Sequence, residues 1–327
     1  MAVLVTGGAG YIGSHTVRRL REAGVDTVVL DTLERGSREA LLGAPLVVGS
    51  IADEALVTEV CREHDVTAVV HFAAHKSVGD SMVDPGPYWT NNVQGTVHLI
   101  EGMLAAEVRN IVFSSSAAVY GSPEQVPITE GAPIRPENVY AETKAMMERV
   151  IDWYGTTSGL RWASLRYFNA AGASTDSVIG EDWSSTTNLV PLVMRAALTD
   201  VGPVDVFGTD FDTPDGSGVR DYIHVEDLAE AHLAALRYLE ADGENLTVNL
   251  GTGNGTSVLE ILAMTAEIHG AEVPHRISGR RLGDPATVYA DSTLAGIRAW
   301  FNRRSIQGVR CNIQLRSGPR QITSCVQ

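Results

Sequence analysis

Short apolar runs ending in glycine or a polar residue alternate, through the first half of the chain, with stretches whose apolar positions recur every three to four residues. The runs at 2–6, 28–31, 46–49, 68–74 and 110–113 predict buried strands, and the stretches at 14–23, 54–64, 88–107 and 140–157 predict helices. Strands apolar on both faces and separated by helices make a parallel sheet covered on both sides. The expected fold is α/β, a doubly wound parallel sheet of Rossmann type followed by a smaller α/β domain.

The first strand runs into Gly7-Gly8-Ala9-Gly10-Tyr11-Ile12-Gly13, which opens a helix. Strand, glycine-rich turn and helix are the context in which such a loop holds a dinucleotide. Gly7 suits the tight turn, Gly10 a close approach of backbone to pyrophosphate, and Gly13 close helix–strand packing. The helix start offers free N–H groups to phosphate oxygens. Asp31 ends the second strand, 18 residues after Gly13. A carboxylate there suits the ribose hydroxyls of NAD and would repel the 2′-phosphate of NADP; a turn or helix cap is the plainer reading of Asp31 taken alone.

The fifth strand leads to Ser114-Ser115-Ser116-Ala117-Ala118, at the strand end where open α/β sheets place their ligands. Tyr140 and Lys144 follow with a spacing of four, on one face of a helix. An ammonium beside a phenol favours the phenolate and brings the Tyr pKa down from about 10. That is useful for a general acid or base. The spacing alone also fits a surface helix with a solvated Lys. His71 and His75 flank the end of the fourth strand and read as packed or solvent-facing histidines.

The net charge of −15 argues against nucleic acid or an anionic membrane as partner. Three cysteines (Cys61, Cys311, Cys325) without metal-type spacing give no reason to expect a disulfide framework or a metal site. No apolar run approaches the roughly 18 residues of a membrane span. The strand at the very start leaves no room for a signal peptide, so a cytoplasmic location is expected.

Together these motifs resemble the extended short-chain dehydrogenase/reductase family, from about residue 2 to about 295. The matching blocks are Thr6–Gly13, Asp31, His71–Ala74 with Lys76–Gly79, Phe113–Gly121, Tyr140 with Lys144, Leu165–Gly172 and Gly218–Leu228. The resemblance implies bound NAD. Tyr11 and Ile12 would lie on the pyrophosphate, Asp31 on the adenosine ribose, and Ser50 and Ile51 near the adenine. Ser50 stands where the family usually has Asp, which implies weaker anchoring there. Phe72, Ala73, Ala74 and Lys76 would wall the strand end, with Asn91 nearby. Ser114, Tyr140 and Lys144 would meet the nicotinamide ribose, and Phe168 the nicotinamide side.

Relatives differ in chemistry. Those that eliminate water carry an Asp-Glu pair where this chain has Ala117-Ala118, so elimination is disfavoured. The resemblance then implies an isomerase that interconverts UDP-glucose and UDP-galactose at C4, with Tyr140 as acid/base, Ser116 relaying its proton and Lys144 in support. Asn169, Asn188, Leu189, Val206 and Phe207 would contact UDP. Arg220 and Arg281 would hold the diphosphate, and Asp284 the uridine ribose. Val288 matches a position that walls the sugar pocket; its small size implies that UDP-N-acetyl sugars are accepted as well. Another NAD-dependent enzyme of nucleotide sugars, or an NAD-binding protein with impaired catalysis, are the alternatives.

Helices near 92–107 and 140–157 resemble those that pair in a homodimer, although Met146, Met147, Val150 and Tyr154 also fit plain core packing. The expected domains are 1–168 for NAD, with later segments returning to it, and 169–295 for the UDP-sugar. Residues 296–327 carry six Arg and no Asp or Glu. Nothing there resembles the helices the family would continue with, as a shifted reading frame or a divergent tail would explain.

Overall fold

The computed structural model describes residues 2–183, 186–281 and 283–297. The expected basic tail lies outside the described residues from position 298 onward. The strands are β1 (Ala2–Thr6), β2 (Asp26–Asp31), β3 (Leu46–Val48), β4 (Val66–His71), β5 (Asn110–Ser114), β6 (Arg161–Tyr167) and β7 (Asn169–Ala171), then β8 (Val204–Phe207), β9 (Val219–Arg220), β10 (Tyr222–His224), β11 (Leu246–Leu250), β12 (Thr256–Ser257), β13 (His275–Ser278) and β14 (Thr287–Val288). The helices are α1 (Tyr11–Glu22), α2 (Glu54–Glu63), α3 (Val78–Val83), α4 (Gly86–Tyr88), α5 (Gly95–Ala105), α6 (Val139–Ser158), α7 (Leu189–Leu198), α8 (Val225–Glu240), α9 (Val258–His269) and α10 (Thr293–Ile297).

Seven parallel strands form one sheet in the order β11-β6-β5-β4-β1-β2-β3. This is the doubly wound Rossmann arrangement expected from the sequence. The order reverses between β1 and β4, and that switch point opens a crevice at the strand ends.

Alternation along β1 shows why both faces are covered. Val3 and Val5 enter the core beneath α1 and α8, whereas Leu4 enters the opposite core with Val57, Leu99, Met103 and Ile151. All three β1 residues are fully buried, each worth about 1.5–3 kcal/mol relative to exposure. A slip of one residue would exchange the two faces. Beyond the sheet, α7 and α9 close a separate core over β8 and β10, around Val193, Val206, Tyr222 and Ile261.

Two boundaries differ from the sequence pattern. The apolar run at 68–74 leaves the sheet at His71, because the Phe72 and Ala73 N–H groups both donate to the Thr6 carbonyl. The helix expected at 88–107 contains a π turn, Trp89–Gln94, between α4 and α5. That turn brings the buried Asn92 side chain inward. No helix among the described residues is long and apolar enough to cross a membrane.

Candidate active site

The crevice begins with the glycine turn between β1 and α1. Gly7 has φ +70°, and a Cβ on it would lie 2.6 Å from the Ala73 nitrogen. A Cβ on Gly13 would lie 2.4 Å from the Gly7 carbonyl oxygen. Side chains at these positions would fill the cradle. Gly10 caps α1 in extended conformation with no side-chain acceptor, so the first-turn N–H groups have no capping side chain and face the crevice. The Tyr11 hydroxyl donates to the Gly172 carbonyl at 2.6 Å and ties the start of α1 to the loop after β7.

Asp31, nearly buried, takes an N–H from Ala9 at 2.9 Å on one oxygen and from Leu33 at 2.8 Å on the other. Its carboxylate is thus pinned beside the glycine turn, with lone pairs left for further donors. Ile12 is half-buried against the core under α1. Ser50 Oγ accepts the Ala52 N–H at 3.1 Å, and the Ile51 side chain is buried in the core. The Ile51 side chain is thus out of reach of a ligand.

The chain then meets itself three times at one place. Asn138 caps α6 by accepting the Ala141 N–H at 2.9 Å. Tyr140, Lys144 and Glu148 follow on one helical face, one turn apart. Facing them is the turn Ser114-Ser115-Ser116. The Ser116 hydroxyl accepts the Ala118 N–H at 3.2 Å and lies by the Tyr140 phenol, favouring its charged form. Lys144 Nζ donates to the Ser114 carbonyl at 2.8 Å, and Ser115 Oγ donates to Glu148 Oε1 at 2.5 Å.

Burial sets the charge states here. It pushes the Tyr140 phenol up, with the Ser116 hydrogen bond pulling the other way. It brings Lys144 down to about 7, opposed by the Glu148 carboxylate. The sequence expectation that Lys144 lowers Tyr140 is therefore corrected. Desolvation of the phenolate dominates, and the Lys144 amine is directed at a carbonyl. His71 is fully buried between Thr6 Oγ1 (2.7 Å) and Thr96 Oγ1 (3.1 Å), and burial brings it down to about 3, a packed neutral imidazole.

Phe72 packs on His232, ring centroids 4.6 Å apart, and Ala73 and Ala74 continue along the rim of the crevice. Asn91 donates to Asn92 Oδ1 at 3.1 Å. Asn92 holds the backbone of His75 from both sides and donates to Thr143 Oγ1 at 3.0 Å, next to Lys144. Phe168 is buried with Ala117, Tyr120 and Ala145 beside the serine turn.

Lys76 reaches across to Glu181, 3.5 Å away. Glu181, mostly buried, also takes both Asn188 Nδ2 contacts, at 2.7 and 2.9 Å. Leu189 starts α7 beside it and packs on the core of that region. Asn169 is exposed, and its backbone N–H bonds the Asp221 carbonyl at 2.9 Å.

Arg220 forms an ion pair with Asp284 and donates to the Val219 carbonyl at 2.8 Å. Arg281 stacks its guanidinium on Phe207 at 3.7 Å. Alternation in β8 turns Val206 into the core and leaves Phe207 outside, so Val206 can meet a ligand only through its backbone. Val288 pairs with Arg220 in the β14–β9 register and packs beside the Phe168 cluster.

Sequence reasoning overlooked Asn92, Glu148, Glu181 and Asp221. Asp221 is fully buried and takes four donors, from Thr252 (two), Gly253 and Ala290, which fix the loop behind Arg220. Only Glu148 carried a readable signal, as the third member of the four-residue repeat begun by Tyr140 and Lys144.

A glycine cradle under a helix start, a carboxylate at the end of β2 and a Tyr–Lys–Ser group at the switch point define an NAD-dependent enzyme of the nucleotide-binding α/β class. The chain belongs to the NAD dependent epimerase/dehydratase family, whose profile matches residues 3–251. The UDP-glucose 4-epimerase of Lactobacillus helveticus is 46% identical over 296 residues, covering 90% of each chain. The crystal structure of UDP-glucose 4-epimerase from Brucella ovis in complex with NAD matches with a TM-score of 0.89 and 44% identity, over 92% of this chain and 93% of that one. That of the Stenotrophomonas maltophila enzyme, with bound NAD and formylated UDP-arabinopyranose, matches with a TM-score of 0.90 and 40% identity, over 94% and 95%.

Proposed function

We propose that this protein is a UDP-glucose 4-epimerase that interconverts UDP-glucose and UDP-galactose with bound NAD. The observation that carries the reading is the convergence of Tyr140 and Lys144 on the Ser114–Ser116 turn, with Lys144 Nζ on the Ser114 carbonyl at 2.8 Å, and with Ala117 and Ala118 where an eliminating relative needs acids. The cradle fits the cofactor, because its glycine positions have no room for side chains and its helix start is uncapped. Residues Gly7, Gly10, Tyr11, Ile12, Gly13 and Asp31 would hold the adenosine diphosphate half, with Ser50 and Ile51 at the adenine. Phe72, Ala73, Ala74, Lys76, Asn91, Ser114, Lys144 and Phe168 would line the other half. When bound, NAD supplies a hydride acceptor that gives the hydride back to the same carbon.

The chain's own residues move the proton. Tyr140 Oη takes it from the sugar 4-hydroxyl, directly or through Ser116 Oγ, and returns it after the 4-keto sugar has turned its other face. Burial disfavours a lone charge on Tyr140 or Lys144, but opposite charges one helical turn apart support each other. Asn169, Asn188, Leu189, Val206 (by its backbone), Phe207, Arg220, Arg281 and Asp284 would grip UDP, leaving the sugar free to turn. Guanidinium groups suit phosphate oxygens.

In this reading residues 1–168 with β11 and α8 bind NAD, and 169–295 bind the UDP-sugar. Val288, small and beside Phe168, leaves room for an N-acetyl group. The exposed Trp153 on α6 supports pairing of two copies through that helix, whereas Met147 is core and Val150 and Tyr154 pack against it. A cytoplasmic location suits an enzyme of nucleotide sugars.

Purified protein given UDP-galactose without added NAD is expected to form UDP-glucose, read by chromatography. Absence of product with wild-type protein that retains NAD would sink the reading. UDP-N-acetylglucosamine turnover at background level would sink the N-acetyl part alone. Sedimentation as a monomer would remove the homodimer.

A further inference from the structure

Three consecutive serines face three consecutive turns of α6. The Ser114 carbonyl takes a hydrogen bond from Lys144, Ser116 lies by Tyr140, and between them Ser115 donates to Glu148. The first two contacts belong to the reactive group. The third does not reach the crevice, because Ser115 is fully buried and Glu148 continues away from the site into a closed network.

In that network Arg166 of β6 holds Glu148 with two hydrogen bonds, Nε to Oε1 at 2.8 Å and Nη2 to Oε2 at 2.6 Å. Arg166 Nη1 also donates to the Tyr120 hydroxyl at 2.9 Å, and Tyr120 donates to Asn249 Oδ1 at 2.7 Å. Tyr120 ends the short helical turn that begins just after Ser116. The stretch from Ser115 to Tyr120 is therefore held at both ends by one polar unit that spans α6, β6 and β11.

Removing two charges from water makes a buried ion pair a poor source of net stability compared with apolar residues of the same size. A planar two-point fork does fix distance and angle. Its hydrogen-bonded link to the reacting groups is the Ser115 hydroxyl, and the Glu148 carboxylate also favours the charged form of Lys144. A displacement of about 1 Å at a reacting group can cost about a hundredfold in rate.

We propose that Glu148, clamped by Arg166 and bonded to Ser115, is a positioning residue that sets the register of the Ser114–Ser116 turn against Tyr140 and Lys144. The proposal rests on the epimerase reading for its effect on rate, but the tether itself can be tested without turnover.

The test uses the full chain with Ser115→Ala, which cuts the tether and leaves the ion pair whole, and with Glu148→Gln. Hydrogen exchange of the peptide spanning 113–121 is expected to speed up in both variants while peptides from α1 and α2 stay as in wild type. With UDP-galactose, kcat is expected to fall by about 10–100-fold with KM within about twofold. The double variant should be no worse than Glu148→Gln alone, since Ser115 acts through Glu148. Unchanged exchange in the 113–121 peptide of folded Ser115→Ala, or a kcat within about threefold of wild type, overturns the proposal. Wild-type protein without turnover would count against the epimerase reading, and the exchange comparison would still decide on the tether.

Discussion

Lys144 Nζ donates to the carbonyl of Ser114 at 2.8 Å, from one turn beyond Tyr140. The helix thus sends two successive side chains to one serine turn, one to a hydroxyl and one to a carbonyl. Both are buried, so desolvation shifts each toward its neutral form in the protein free of cofactor.

For Lys144 the consequence is a dependence of stability on pH. Its folded value is about 7 against an ordinary 10.5. Between these values the unfolded chain holds a proton that the folded chain has released, so stability rises with pH. The limit is about 1.4 kcal/mol per pH unit. Urea unfolding of cofactor-free protein at pH 7 and pH 9 is expected to show this gain in wild type and its absence in Lys144→Met. Cys61, whose thiol burial raises from 9.0 to about 11, begins to oppose the gain near pH 9 in both proteins and so cancels in their comparison.

On the acid side, burial brings His71 to about 3 and His232 to about 4, from 6.5. Below pH 6.5 the unfolded chain takes up protons that the folded one refuses, so stability falls as pH falls, until the folded values are reached. His232 Nε2 is buried with no hydrogen-bond partner. His232→Phe is expected to unfold at lower pH than wild type in an acid titration followed by circular dichroism. An unchanged acid midpoint would count against His232 as a source of acid sensitivity.

Tyr140→Phe removes the proton carrier and leaves the ring. Turnover of UDP-galactose is expected to fall by about 10²–10⁴-fold, the usual worth of a positioned acid/base group. NAD content and the KM should stay near wild type. Loss of NAD together with activity would place Tyr140 in binding instead.

Gly13→Ala puts a Cβ 2.4 Å from the Gly7 oxygen, where the turn itself must give way. The expected cost is about 1–3 kcal/mol in stability. NAD released by acid from the purified variant should drop well below that of wild type. Equal NAD content would show that the cradle tolerates a side chain.

Much of this site could be read before the fold was known, and the reasons are local. The glycine turn, Asp31 and the Tyr140–Lys144 spacing are short patterns whose geometry follows from strand, turn and helix. What escaped is long-range. Asn92 turns inward only because of a π turn, and Glu181 matters only once Lys76 and Asn188 close on it. Helical spacing reports the proximity of Tyr140 to Lys144 but not the cost of burying both groups, so it misjudges the protonation of Tyr140. Val206 reads as a ligand contact along with its strand, although β8 alternation turns its side chain into the core.

The central claim is that one carbon gives up a hydride and takes it back while Tyr140 carries the proton. The most direct measurement is the conversion of UDP-galactose deuterated at C4 by purified protein in ordinary water, followed by mass spectrometry and NMR. The account predicts UDP-glucose that keeps its deuterium at C4. Product with hydrogen at C4, or no product from protein that holds NAD, would contradict it.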